Sequence, residues 1–290
     1  MVNRTDIRIR DPFVLVDKAE RAYYLYGTTD ENVWGGPATG FNVYRSHDLE
    51  QWEGPFPAFR PQPDFWADRH FWAPEVYLHE GKYYMFASFK SEKRCRGTQI
   101  LVADSPLGPF ETLTNDPITP AEWECLDGTL HIDEDGRPWI VFCHEWIQVT
   151  DGRMYAQPLS ADLREAVGEP VLLFSASEAP WAVPGGDSGQ VYVTDGPYLF
   201  LNKDGELLML WSSGSKNGYA IGIARSESRT VLGPWKQDAA TLFPEDGGHG
   251  MLFQALTGEL MLAMHAPNKQ PNERPVFIEV EEHNGSLQRK

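Results

Sequence analysis

Basic charge, helical periodicity, long apolar runs and cysteine are all scarce in this chain. Its 290 residues carry 25 Lys and Arg against 42 Asp and Glu, a formal net charge of −17. That balance argues against nucleic acid, whose phosphates require neutralising Lys and Arg, and against an anionic membrane surface. No apolar run approaches the ~20 residues of a membrane span. The first residues, MVNRTDIRIRDPF, lack the apolar centre of a signal peptide, so the expected localisation is cytoplasmic. Three cysteines, Cys95, Cys125 and Cys143, are an odd number without CxxC spacing. They argue against a disulfide framework or a zinc knuckle and read as small buried hydrophobes. The best helix-like stretches, 121–126 and 161–167, are short and lie among Gly and Pro.

What the chain does have is turns and strands. Gly (26) and Pro (22) punctuate runs rich in Val, Ile, Leu, Tyr and Phe. Four such runs follow Gly-containing dipeptides: Glu80-Gly81, Asp135-Gly136, Asp204-Gly205 and Thr257-Gly258. Each reads as a hairpin tip, because Gly accepts φ > 0 there. Upstream of each hairpin, and once near the N-terminus, stands a polar unit opener: Asp11, Glu75, Asp127, Asp195 and His249, at spacings of 64, 52, 68 and 54 residues. A second phrase recurs downstream at 44–52, 102–110, 158–166 and 224–235, a strand running into a turn. Repeats of this length with about four strands each predict an all-β fold, a five-bladed β-propeller. No shift of composition marks a linker, so residues 1–290 read as one domain. If each unit opens with the strand lining the central channel, the five openers converge at one channel mouth.

Carboxylates crowded at such a mouth raise one another's pKa. Glycoside hydrolysis uses such an arrangement, with one carboxylic acid protonating the leaving oxygen and one carboxylate activating water or attacking the sugar. Sugar faces also need aromatic walls. Trp34, Phe65, Trp66, Phe71 and Trp72 cluster near the first two openers, and His144-Glu145-Trp146 ends a strand of the third unit.

These pieces resemble glycoside hydrolase family 43, the five-bladed propeller glycosidases acting on arabinose- and xylose-containing glycans. The resemblance spans the chain. It rests on Arg10-Asp11-Pro12-Phe13, Phe71-Trp72-Ala73-Pro74-Glu75-Val76, Leu126-Asp127-Gly128-Thr129-Leu130, Val193-Thr194-Asp195-Gly196-Pro197-Tyr198 and Gly248-His249-Gly250. It implies that Asp11 is the general base, Asp127 the acid that raises and orients the proton donor, and Asp195 the proton donor, where the family usually has Glu in a Glu-Gly-Pro motif. Asp is shorter by one methylene, about 1.5 Å of reach, which brings Glu145 and Glu75 forward as alternative donors. It also implies that His249 helps hold a calcium or sodium ion or water in the channel, with no cofactor required for the chemistry. Trp34, Trp72, Glu75, Glu145 and Arg225 are the expected substrate contacts, although an Arg such as Arg225 is more often structural.

The resemblance thus implies an inverting hydrolase releasing terminal α-L-arabinofuranose or β-D-xylose from an oligosaccharide or polysaccharide. An inverting pair leaves room for water, about 6.5–9.5 Å between carboxyls. Two rivals stand beside it. One is a carbohydrate-binding propeller with no chemistry. The other is a retaining hydrolase of the fructan or galactosidase kind. The fructan-hydrolysing enzymes use Asp-Pro-Asn and Glu-Cys motifs. Here no Asp-Pro-Asn exists, and the one Glu-Cys, Glu124-Cys125, sits just before Asp127.

Overall fold

The computed structural model describes all of residues 1–290. Its strands form five antiparallel sheets, four of them runs of sequential strands and the first with Val2–Asn3 added beside its outer strand Gln51–Phe59. Their innermost strands are Arg10–Asp17, Arg69–His79, Cys125–Ile132, Asp195–Leu201 and Gly248–Gln254. Each inner strand packs against its counterparts in the two neighbouring blades, and the last meets the first. The result is a closed five-bladed propeller around a central channel.

The sequence of small events that builds a blade is the one the turns predict. The tight hairpins at Glu80-Gly81, 133–137, 202–206 and 255–259 join first strands to second strands. The downstream phrases are the turns from third strands into outer strands, long in blade one (Gln51–Phe59) and short in blades two to four. Blade five lacks the phrase because its last two strands, Arg274–His283 and Ser286–Arg289, are joined by a tight turn at Asn284-Gly285. Neither 121–126 nor 161–167 is helical, and the one α-helix is the single turn Trp146–Val149. The core lies between blades as four apolar clusters, for example Phe86 and Ile100 of blade two against Ile140 and Phe142 of blade three. Cys125 and Cys143 are buried in this core, whereas Cys95 is only half-buried, and all three are free thiols.

Each inner strand carries an irregularity near its start, and this corrects the repeat alignment. The ladders slip between Arg10 and Phe13, Trp72 and Glu75, Leu126 and Thr129, Asp195 and Tyr198, and Gly248 and Met251. Within each slip one residue has positive φ: Asp11 (52°), Ala73 (46°), Asp127 (54°), Gly196 (53°) and His249 (54°). Pro or Gly follows every one of them: Pro12, Pro74, Gly128, Pro197 and Gly250. These are β-bulges, which bend the strand and re-aim its side chains. The equivalent residues are therefore Asp11, Ala73, Asp127, Gly196 and His249. Aligning the units by polar openers misplaces Glu75 by two residues and Asp195 by one. Gly196 is forced by packing as well as by φ, because an added Cβ would lie 2.8 Å from Cγ of the His249 ring.

Candidate active site

The bulges divide the channel mouth into positions with separate uses. The residue before the bulge points into a cavity of about 630 Å³ as Arg10, Trp72, Leu126 and Asp195. The bulge residue itself supplies Asp11, Asp127 and His249 to the same cavity. Two residues after the bulge come Phe13, Glu75, Thr129, Tyr198 and Met251, outside the cavity lining. Glu75, an expected substrate contact, thus lies outside this lining. It is buried, and its carboxylate accepts a hydrogen bond from Tyr77 Oη, which also meets Thr129 Oγ1 at 2.7 Å.

Asp11 is fixed from two sides. Thr28 Oγ1 donates to Asp11 Oδ2 at 2.7 Å, and His249 Nδ1 lies 3.3 Å from Oδ1. Burial alone would raise this carboxyl, but His249, Arg10 and the Thr28 hydroxyl hold it below the usual Asp value. His265 contributes mainly by geometry. Burial pushes its pKa down to about 3, so the ring is neutral, with Nδ1 accepting the Asp11 amide at 3.1 Å and Nε2 facing Asn268 Oδ1 at 3.2 Å. The 3.6 Å approach of Nδ1 to Asp11 Oδ1 is therefore no ion pair.

Asp127 and Asp195 are pushed the other way. Burial, then the charge of Asp11, raises Asp127 to about 8, against the pull of the Gly196 amide, which donates to Oδ2 at 2.9 Å. Burial, then the charge of Asp127, raises Asp195 to about 7, while Tyr219 Oη donates to its Oδ2 at 2.9 Å. The charge of Asp127 raises Asp195, so the two titrations are linked and the site keeps a proton near neutrality. The mouth therefore holds one carboxylate kept charged beside a pair kept partly protonated, the division that acid–base hydrolysis requires.

The walls are aromatic and cationic. Trp34, 57% exposed, meets Trp72 edge-on with centroids 5.3 Å apart, and Trp72 Nε1 donates to Val33 O at 2.7 Å. The Arg96 guanidinium lies 3.9 Å from the Trp72 ring centre, and its Nε bonds Glu145 Oε2 at 3.3 Å. Glu145 lines the cavity, and burial raises its pKa although Arg96 opposes this. Arg10 lies over Trp34 at 5.0 Å and pairs with the fully buried Glu273 at 2.9 Å. An exposed indole beside fixed polar groups suits a sugar face.

Several expectations are placed elsewhere. Phe71 is core, while Phe65 and Trp66 border a different cleft with Arg60 and Arg94. Arg225 lies outside the cavity. Its Nε and Nη2 bond Asp238 at 2.8 and 3.1 Å, and its Nη1 donates to Gly285 O at 2.6 Å, tying blade four to the last hairpin of blade five. Arg225→Ala is therefore expected to leave kcat/KM for a cleaved glycan unchanged. It should lower unfolding stability by about 1 kcal/mol, read by chemical denaturation. His249 faces the carboxylates of Asp11 and Asp127, the second at 3.7 Å, and no group of three or more His, Cys, Asp or Glu side chains is arranged to hold a metal ion. Tyr219, Arg96 and the 268–270 segment were missed by sequence reasoning, since none belongs to a repeat opener. Arg10 had a signal, its place before a bulge residue.

The family model for glycosyl hydrolases family 43 matches residues 5–284. Among solved structures, an endo-arabinase from Bacteroides thetaiotaomicron VPI-5482 superposes with a TM-score of 0.92 at 46% identity, covering 98% of each chain. A thermostable family-43 glycoside hydrolase superposes with a TM-score of 0.82 at 27% identity, covering 97% of this chain and 92% of that one. Among curated proteins, an extracellular exo-alpha-(1->5)-L-arabinofuranosidase from Cellvibrio japonicus (strain Ueda107) is 25% identical over 156 residues, 48% of this chain and 42% of that protein. The chain thus matches less than half the length of that relative.

Proposed function

This chain belongs to glycosyl hydrolase family 43, and from that premise we propose that it hydrolyses α-L-arabinofuranosyl bonds with inversion, Asp195 serving as proton donor and Asp11 as general base. The observation that carries the reading is the opposite tuning of these two carboxyls on one cavity, Asp11 held down and Asp195 raised to about 7. Tyr219 occupies Oδ2 of Asp195, which leaves Oδ1 to carry the transferable proton. That proton passes to the glycosidic oxygen as the C1–O bond breaks. Asp11 takes a proton from the water whose oxygen forms the new bond to C1 on the opposite face. Asp127 stays between them, receiving the Gly196 amide and, when charged, favouring the protonated form of Asp195. Trp34 and Trp72 provide the platform for the sugar ring. Arabinose specificity is supported by the similarity to the B. thetaiotaomicron endo-arabinase and the C. japonicus arabinofuranosidase.

The test is a substrate panel of linear α-1,5-arabinan, arabino-oligosaccharides, and aryl α-L-arabinofuranosides and β-D-xylosides. The first-formed anomer is followed by proton NMR. Turnover of an arabinofuranoside with an inverted first product is expected. Retention, or cleavage of the xyloside alone, would overturn the assignment. Release of arabinose alone from the earliest time points marks the terminal mode that the sequence reading favours, and a ladder of oligomers marks internal cleavage.

A further inference from the structure

The five blades share a device that holds their bulges, and one blade breaks it. In every blade, the residue paired with the pre-bulge position lies on the second strand: Thr28, Ser88, Cys143, Ser212 and His265. In four blades that side chain accepts the amide N–H of the next blade's bulge residue. Thr28 Oγ1 takes Ala73 N at 2.8 Å, Ser88 Oγ takes Asp127 N at 2.9 Å, Ser212 Oγ takes His249 N at 2.8 Å and His265 Nδ1 takes Asp11 N at 3.1 Å. The fifth pair would be Cys143 and Gly196. A thiol is a weak acceptor, and the Cys143 sulfur lies against Met154 Sδ at 3.9 Å. The Gly196 amide donates instead to Oδ2 of Asp127, at 2.9 Å.

We propose that Cys143 is a positioning residue: by supplying no hydroxyl where its counterparts supply an acceptor, it releases the Gly196 amide to anchor Asp127 beside Asp195. This rests on the hydrolase reading above. The amide stabilises the charged form of Asp127 more than the neutral one, and it fixes one carboxyl oxygen toward the strand that carries Asp195. Gly196 has no side chain to compete, and the His249 ring packs against it where a Cβ would be. The buried Thr194 hydroxyl, next to Asp195, has no oxygen or nitrogen partner and lies against the Cys143 thiol. The other charged or titratable groups facing Asp127 are Asp11 from blade one, Glu75 and Arg96 from blade two, Glu145 from blade three, Asp195 and Tyr219 from blade four and His249 from blade five. A substitution at position 143 replaces none of these seven groups.

The experiment compares Cys143→Ser with Cys143→Ala. Serine restores the missing acceptor, draws the Gly196 amide away and removes a donor from Asp127. Its carboxyl should then titrate higher by about one pH unit, read by carbon-13 NMR of labelled aspartate. The Gly196 amide resonance should lose its sensitivity to that titration. In kcat/KM against pH, the alkaline limb should move up by a similar amount, with kcat reduced about threefold to tenfold. Alanine offers no acceptor, so the Asp127 titration and the alkaline limb should stay where the wild type has them, even though alanine leaves the larger cavity. A purely structural role predicts the reverse order, with alanine the more damaging and neither limb moved. Equal titrations in all three proteins, including the case in which the new hydroxyl turns to Thr194, would overturn the proposal. The NMR titration needs no turnover, so a wild type that cleaves no glycan refutes the hydrolase reading and leaves this result to be read separately.

Discussion

Asp11→Asn is expected to reduce kcat on an arabinofuranosyl substrate by about 10³-fold, with little change in KM. An amide cannot take the proton from the attacking water, while its shape and its contact with Thr28 Oγ1 survive. The substitution is also gentle on the backbone. Asp11 has φ of 52°, and Asn is among the residues that enter the left-handed region most readily. Loss of turnover with an unchanged melting temperature would therefore report chemistry rather than unfolding. A second consequence follows from charge. Asp11 is, after burial, the largest influence raising Asp127, so neutralising it should let the Asp127–Asp195 pair titrate lower. The alkaline limb of the residual activity should move down in pH, opposite in sign to the Cys143→Ser shift. A kcat within tenfold of wild type would remove Asp11 from the role of base.

Most of the architecture was legible because it depends on local chemistry. Hairpin glycines, strand composition and the recurring turn phrase each act within a few residues, and together they marked five blades. The site was legible only in part. Asp11, Asp127 and His249 occupy the same bulge position, so aligning the repeats by polar residues found them for the right reason. Asp195 and Glu75 were found by chemistry but placed at the wrong step of their strands. One step changes little for Asp195, which the bulge still turns into the cavity, whereas two carry Glu75 out of it. The pattern of a positive-φ residue followed by Pro or Gly was present in the sequence, and it would have set the register. Arg225 shows the opposite failure. Its repeat position said nothing of the Asp238 carboxylate that binds it in the outer layer. Tyr219 reaches Asp195 from the third strand of the same blade and Arg96 meets Glu145 of the next blade from the loop before Gly97–Ala103, contacts that only the folded sheets bring about.

The shorter acid leads to the second large effect. Asp195→Asn should lower kcat/KM on arabino-oligosaccharides, whose leaving group is a sugar alkoxide, by about 10²- to 10⁴-fold. A p-nitrophenyl α-L-arabinofuranoside leaves without needing the proton, so its kcat should fall far less. The alkaline limb set by the pair that includes Asp195, raised to about 7, should flatten in this variant. The sign follows from the role. A proton donor with a raised pKa works below that value and fails as pH rises through it, so removing the donor removes the limb. Asp195→Glu tests reach. The carboxyl sits at the pre-bulge position, accepts Tyr219 Oη, and is aimed by a bulge that also carries Gly196. A side chain longer by about 1.5 Å would leave Tyr219 or overrun the scissile oxygen, and a misplacement of about 1 Å costs on the order of a hundredfold. Glutamate is thus expected to be worse than aspartate on both substrates. If Asp195→Asn instead lowers both substrates equally and keeps the alkaline limb, the proton comes from another group. Glu145, on the same cavity and bound to Arg96, is then the residue to replace next.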